Sequence, residues 1–259
     1  MFKSTFPFVL AIAALSFIGC KNDKDDTNSD VIDTPVAQNP TVSVRISSLW
    51  GINDFVLENI YFDNYGNRVR VDNFQSYFAM VKLIKDDGTE VLLKDFYLHD
   101  FSKDAEITGT VPPGNYVGVK FGVGVPDGYN LNQDPAQYAS SHPLSVAGSQ
   151  GMFWTWNSGY VFSKFEGKID PTGTEGVTPT QSFSIHTGDS ECYFEFATSS
   201  NNYEFAANNA YDVNINLHVD EILGSGPEGI DLNVESNSSG ASPIGLKFTS
   251  RFLTSFSAE

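Results

Sequence analysis

Alternating apolar and polar residues form the main pattern along this chain. The alternation is clearest at residues 42–46, 117–125 and 213–219, where every second side chain is apolar. A period of two residues over such lengths predicts β-strands with one buried face. Short clusters of Gly, Pro, Asn and Asp, such as Asp87 and Gly88, separate the apolar runs and indicate tight turns.

Helical periodicity is scarce in comparison. Residues 241–257 predict one short helix, with Ser242 and Pro243 suited to its first turn. Many short strands separated by turns favour an all-β fold, an antiparallel β-sandwich of Greek-key-like topology with long loops and at most one short C-terminal helix. Because we find no internal repeat and no interior linker, we expect residues 41–259 to form a single domain.

The N-terminus has the pattern of a secretory signal over residues 1–19. Lys3 supplies a positive charge, and the apolar run that follows is too short to span a membrane comfortably. The run ends at F-I-G-C, which resembles the processing site of a bacterial lipoprotein although Phe17 replaces the usual Leu. The alternative is an ordinary cleaved signal followed by an incidental cysteine. Lipid on Cys20 would attach the protein to a membrane, which predicts an outer-membrane lipoprotein of the cell envelope, periplasmic or surface-exposed.

Residues 20–40 predict a lipidated cysteine followed by a disordered tether, since the segment is polar and has no periodicity. Its acidic cluster resembles the surface-export signals of Bacteroidetes lipoproteins, but the same charges also suit a plain solvated linker. The whole chain has a formal net charge of −17. Without a basic stripe to displace counterions from phosphates, nucleic-acid binding is disfavoured.

Catalytic motifs are missing from the sequence. It contains no G-x-S-x-G elbow, no H-E-x-x-H pair and no P-loop lysine motif, and no acid/base pair stands out among its carboxylates. We therefore expect a protein that is not an enzyme. An enzyme that acts on glycans is the weakest of the functional hypotheses.

An aromatic block, GMFWTWNSGYVFSKFEG at residues 151–167, is the most informative segment. It contains two of the three tryptophans, Trp154 and Trp156, at the spacing of side chains on one face of a strand. Tryptophan is easily oxidised by a strong one-electron oxidant. The pair therefore suits either a structural core or a site of chemistry.

Histidines and cysteines are the remaining candidate ligands. Each of the four histidines, His99, His142, His186 and His218, is more simply structural than metal-binding. If Cys20 carries lipid, Cys192 has no disulfide partner. Burial as a small apolar side chain is favoured for Cys192 over a role as a soft metal ligand.

Three blocks in order, GNYVGVKFGVGVPDGYN, GMFWTWNSGYVFSKFEG and FSIHTG, resemble the MbnP-like copper-binding protein family over most of residues 41–259. The resemblance implies that Trp154 is oxidised to kynurenine by a partner di-haem enzyme of the MauG or cytochrome c peroxidase type. It further implies that this kynurenine binds copper together with His186, in a role in copper homeostasis. Trp156 is then the same-face neighbour of the modified residue.

The chain departs from the family pattern at two places. Many relatives carry a histidine on the first strand, where this chain has serines, and another before the C-terminal segment, where it reads VESNSSGASP. If those histidines complete the copper site, His186 remains, with His142 and Cys192 as weaker candidate ligands. The alternative function is a non-catalytic cell-surface β-sandwich binding module that has lost its metal site, with both residues of the tryptophan pair in its core.

Overall fold

The computed structural model describes residues 37–131, 133–154 and 159–259. Cys20, the expected signal peptide and Trp156 lie outside the described residues. The strands of the described part are β1 (Thr41–Trp50), β2 (Asn53–Asp54), β3 (Ile60–Phe62), β4 (Arg68–Lys85), β5 (Glu90–Asp100), β6 (Ala105–Thr110), β7 (Gly114–Val123), β8 (Phe153–Trp154), β9 (Gly159–Tyr160), β10 (Ser163–Asp170), β11 (Gln181–Thr187), β12 (Phe194–Ala197), β13 (Tyr203–Phe205), β14 (Ala210–His218), β15 (Asn237–Ser238) and β16 (Phe256–Ala258).

Helical elements are short. The α-helices are α1 (Asp127–Asn130), α2 (Val219–Leu223) and α3 (Pro243–Thr254), and single 3-10 turns cover Pro135–Gln137, Ser190–Cys192 and Gly226–Glu228. Within the described ranges, no helix is long and apolar enough to cross a membrane.

Two sheets stack face to face as a β-sandwich. The smaller has the order β16-β14-β1-β2, with β6 also paired to β1. The larger has the order β12-β7-β4-β10-β11-β15, with β3 and β5 also on β4 and β13 also on β7. The main core between the sheets takes apolar side chains from both, including Val44 and Ile215 from the smaller sheet and Phe74, Phe121 and Phe165 from the larger.

A second core lies on the other face of the larger sheet. The long connection between β7 and β10 folds over this face and includes the β8–β9 hairpin. Tyr77 and Phe96 from the sheet pack there with Leu144, Met152 and Tyr160 from the connection. The Tyr160 hydroxyl donates to the Leu144 carbonyl at 2.5 Å, and burial raises the pKa of that phenol. This second core fixes the hairpin that carries the aromatic block.

The structure confirms the all-β sandwich and refines it in two respects. The predicted helix forms over Pro243–Thr254, where Ser242 Oγ accepts a hydrogen bond from Gly245 N at 3.1 Å as the N-cap. Antiparallel pairing predominates, but β1–β14 and β11–β15 are parallel, so both sheets are mixed. The alternation ending at Val219 stops one residue early, because Val219, Ile222 and Leu223 bury together at helical spacing as α2.

Candidate metal centre

The β8–β9 hairpin presents Trp154. Phe153 pairs with Tyr160 and Trp154 pairs with Gly159. The buried side chain of Asn130 supports the second strand, since its Oδ1 accepts a hydrogen bond from Tyr160 N at 2.7 Å. This contact anchors the hairpin to α1.

Trp154 lies against Gly188, at the end of β11. The indole is 9% exposed, and a Cβ added to Gly188 would come within 2.3 Å of Trp154 Cζ3 and 2.6 Å of Cη2. The ring therefore occupies the space that a side chain at position 188 would take. Gly188 and His186 are two residues apart, so their side-chain directions share one face of the strand, with Cα atoms about 7 Å apart. The fold thus packs Trp154 against the position two residues after His186, on the same face of the sheet.

His186 belongs to a row of polar side chains on the outer face of the larger sheet. Its Nε2 lies 2.7 Å from Glu166 Oε1 and 3.2 Å from Ser184 Oγ. Asn73 Nδ2 donates to Glu166 Oε2 at 2.8 Å. Strand pairing produces this row, because Asn73 on β4 and Ser184 on β11 are both register partners of Glu166 on β10.

Glu166 is the closest hydrogen-bond partner of His186. Partial burial opposes ionisation, but hydrogen bonds from Asn73 and His186 and the charge of Lys164 prevail, so the pKa of Glu166 is lowered. A carboxylate can only accept hydrogen bonds, so Nε2 of neutral His186 must be the donor. Nδ1 then keeps its lone pair, and within the described part of the chain it has no hydrogen-bond partner. Such a nitrogen is a competent copper ligand.

The weaker candidate ligands have local roles. His142 Nδ1 accepts from Leu144 N at 3.1 Å, and its ring stacks on Tyr138 with centroids 4.5 Å apart. Cys192 is 2% exposed in the second core, where its thiol donates to the Gly240 carbonyl at 3.6 Å. Burial raises the pKa of this thiol, which disfavours the thiolate that binds metals. Both side chains are thus accounted for by packing and hydrogen bonding.

The other two histidines lie elsewhere. His99 is fully buried on β5, with its ring centroid 4.3 Å from that of Phe101 and both ring nitrogens unpaired. Burial lowers the pKa of His99 to about 4. His218 ends β14 in the smaller sheet, with Nε2 3.4 Å from Ser257 Oγ. These contacts agree with structural roles for both.

The donor set fits copper only if the tryptophan is modified. In the residues that the structure describes, no three His, Cys, Asp or Glu side chains are grouped so that they could hold a metal ion. An indole N–H is a hydrogen-bond donor without a free lone pair, so unmodified Trp154 is no ligand. Kynurenine in its place would offer an aniline nitrogen as a second donor in addition to His186, and nitrogen donors of this kind suit copper.

Two residues of this site were not identified from the sequence, although both lie in the sequence blocks that resemble the MbnP-like family. Glu166 is the acidic residue of FSKFEG and Gly188 is the glycine of FSIHTG. The glycine that follows His186 by two positions was the available signal, since it marks a close approach to the backbone. The partnership of Glu166 and His186 depends on the pairing of β10 with β11, which their spacing in the chain does not reveal.

Comparisons with known proteins agree with this architecture. The solved structure of MbnP from Methylosinus trichosporium is similar, with a TM-score of 0.51 and 14% identity, over 80% of this chain and 83% of that chain. At this identity the likeness shows a shared fold. No curated protein matches the chain. The family model described as MbnP matches residues 39–241. The chain therefore belongs to the MbnP family, a copper-associated family.

Proposed function

We propose that this protein binds copper through His186 and a kynurenine formed from Trp154, and that it serves copper homeostasis. Family membership supports a copper-associated role. The observation that carries the proposal is the contact of Trp154 with Gly188, which puts the oxidisable ring at a position two residues along the chain from the hydrogen-bonded imidazole of His186. Neither side chain alone would make a site.

Position 154 and His186 would each supply one nitrogen donor to copper. A four-electron oxidation with O2 or peroxide would cleave the indole C2–C3 bond and put one oxygen atom on each carbon. Hydrolysis of the resulting N-formyl group would then release C2 as formate and leave a primary aromatic amine at position 154. A partner di-haem enzyme of the MauG or cytochrome c peroxidase type would supply the oxidation. His186 offers Nδ1, and the second core shields one side of the site from water. Copper held there would be cargo in a soft, nitrogen-lined site.

Membrane attachment through lipid on Cys20 completes the proposal. It would keep the domain at the cell envelope on the tether of residues 20–40, as an outer-membrane lipoprotein. Such an arrangement would retain bound copper at the cell.

Copper retention by protein from the native host tests this function. We expect wild-type protein loaded anaerobically with Cu(I) and then desalted to keep about one copper per chain, and His186→Ala to lose at least about tenfold in affinity, as is typical when a site's ligand shell is broken. His218→Ala is the matched control, since His218 lies on the other sheet. Full retention by His186→Ala would contradict the proposal. Wild-type protein that keeps no copper would favour the metal-free binding module.

A further inference from the structure

Glu166 has no role in the proposed function so far, yet it makes the shortest contact of His186. The two atoms, Glu166 Oε1 and His186 Nε2, are 2.7 Å apart. We propose that Glu166 is a positioning residue that holds His186 by Nε2–H and so selects Nδ1 as the metal-binding nitrogen. This inference rests on the proposed function for its copper consequence, but the orientation of the ring can be tested without copper.

The contacts of Glu166 show that it is itself held in place. One carboxylate oxygen accepts from His186 and the other from Asn73 Nδ2 at 2.8 Å. Both partners extend from neighbouring strands of one sheet, and the Glu166 side chain is about one-third exposed. Two hydrogen bonds, one to each carboxylate oxygen, restrict the rotamers of Glu166. The hydrogen bond that Glu166 accepts from His186 in turn restricts the orientation of the imidazole ring. Carboxylates that hold the distal nitrogen of a ligating histidine are a common feature of metal sites.

Charge gives a second reason for an acidic residue here. Lys164 is the register partner of His186 on β10, so the two side chains leave neighbouring positions on the same face of the sheet. Glu166 follows Lys164 by two residues on β10 and is therefore the diagonal neighbour of His186. Lys164 interacts favourably with the Glu166 carboxylate. Without Glu166, the positive charge of Lys164 would lose this compensating carboxylate near His186. Ser184 also approaches Nε2, but at 3.2 Å and without charge. Ser184 therefore provides the matched control.

The first experiment reads the histidine tautomer in the metal-free, unmodified full chain by nitrogen-15 NMR of labelled histidine. We expect His186 as the Nε2–H tautomer, with a ring proton protected from solvent exchange. Glu166→Ala should lose this protected proton, Glu166→Gln should keep it because the amide oxygen still accepts, and Ser184→Ala should keep it. A wild-type Nδ1–H tautomer, or a protected proton that survives in Glu166→Ala, would overturn the proposal.

The second experiment measures Cu(I) affinity by competition with a chromophoric chelator in native-host protein. We expect Glu166→Ala to bind about 10–100-fold more weakly, with Glu166→Gln between it and wild type and Ser184→Ala close to wild type. Affinity of Glu166→Ala within twofold of wild type would refute a positioning role toward copper. If wild-type protein binds no copper, the proposed function fails, and the tautomer measurement alone decides the role of Glu166.

Discussion

Replacing Gly188 with alanine should displace Trp154, because the added methyl group and the indole would occupy the same space. The new carbon would lie 2.3 Å from Trp154 Cζ3 and 3.0 Å from the Tyr160 carbonyl oxygen. Favourable carbon–carbon contacts lie at about 3.5–4.0 Å, so the ring must shift by more than about 1 Å. Overpacking of this kind costs about 1–3 kcal/mol. Alanine restricts the unfolded chain, which returns about 0.4–1 kcal/mol.

The expected net loss in the free energy of unfolding therefore lies between about 0 and 2.6 kcal/mol, with a central value of about 1.3 kcal/mol. Urea denaturation followed by far-ultraviolet circular dichroism measures it in unmodified recombinant protein. Gly128→Ala is the matched control, because a Cβ at position 128 meets nothing within 4 Å. That variant should be as stable as wild type or slightly more stable.

A double-mutant cycle assigns the loss to the indole. In a Trp154→Ala background, Gly188→Ala should cost less by at least about 1 kcal/mol, because only the Tyr160 carbonyl still opposes the methyl group. If Gly188→Ala behaved like Gly128→Ala, or if its cost were the same with and without the indole, Trp154 would not lie on Gly188. Its placement near His186 would then have no support.

Other predictions concern buried polar groups. Burial lowers the pKa of His99 from a reference value of 6.5 to about 4 in the folded protein. Its contribution to the free energy of unfolding should therefore be constant above pH 7 and fall by about 3 kcal/mol between pH 6.5 and 4, because the unfolded chain takes up the proton first. In urea titrations at several pH values, His99→Leu should show a smaller pH dependence than wild type. Asn130→Ala leaves Tyr160 N–H without its acceptor, and the free energy of unfolding should fall by about 1–3 kcal/mol. Cys192→Ala should keep wild-type copper retention, whereas a large loss would identify the thiol as a ligand.

Local patterns anticipate the elements of this fold better than their pairing. Alternation in 42–46 and 213–219 predicts strands because each has one face in the core. The same alternation is equally compatible with parallel and antiparallel neighbours, so the parallel β1–β14 pair could not be predicted. The helix at Pro243–Thr254 could be predicted because Ser242 and Pro243 are local signals.

The candidate site shows the same division. Trp154 and His186 are identifiable from their sequence blocks, since oxidisable and ligating residues are recognised by type. Their proximity depends on a long connection folding back over the sheet to place the indole on Gly188. The contact of Glu166 with His186 depends on the register of β10 and β11. Such long-range pairings leave no periodic signal in the chain.

Site-resolved mass spectrometry of the protein from its native host tests the central claim most directly. Conversion of tryptophan to kynurenine adds about four mass units, a shift fixed by covalent chemistry. Fragment ions can distinguish Trp154 from Trp156 and from Trp50. We predict the shift at Trp154, in the same fraction of molecules that retains copper. Copper-loaded protein with unmodified Trp154, or with the shift at Trp156 instead, would contradict the account.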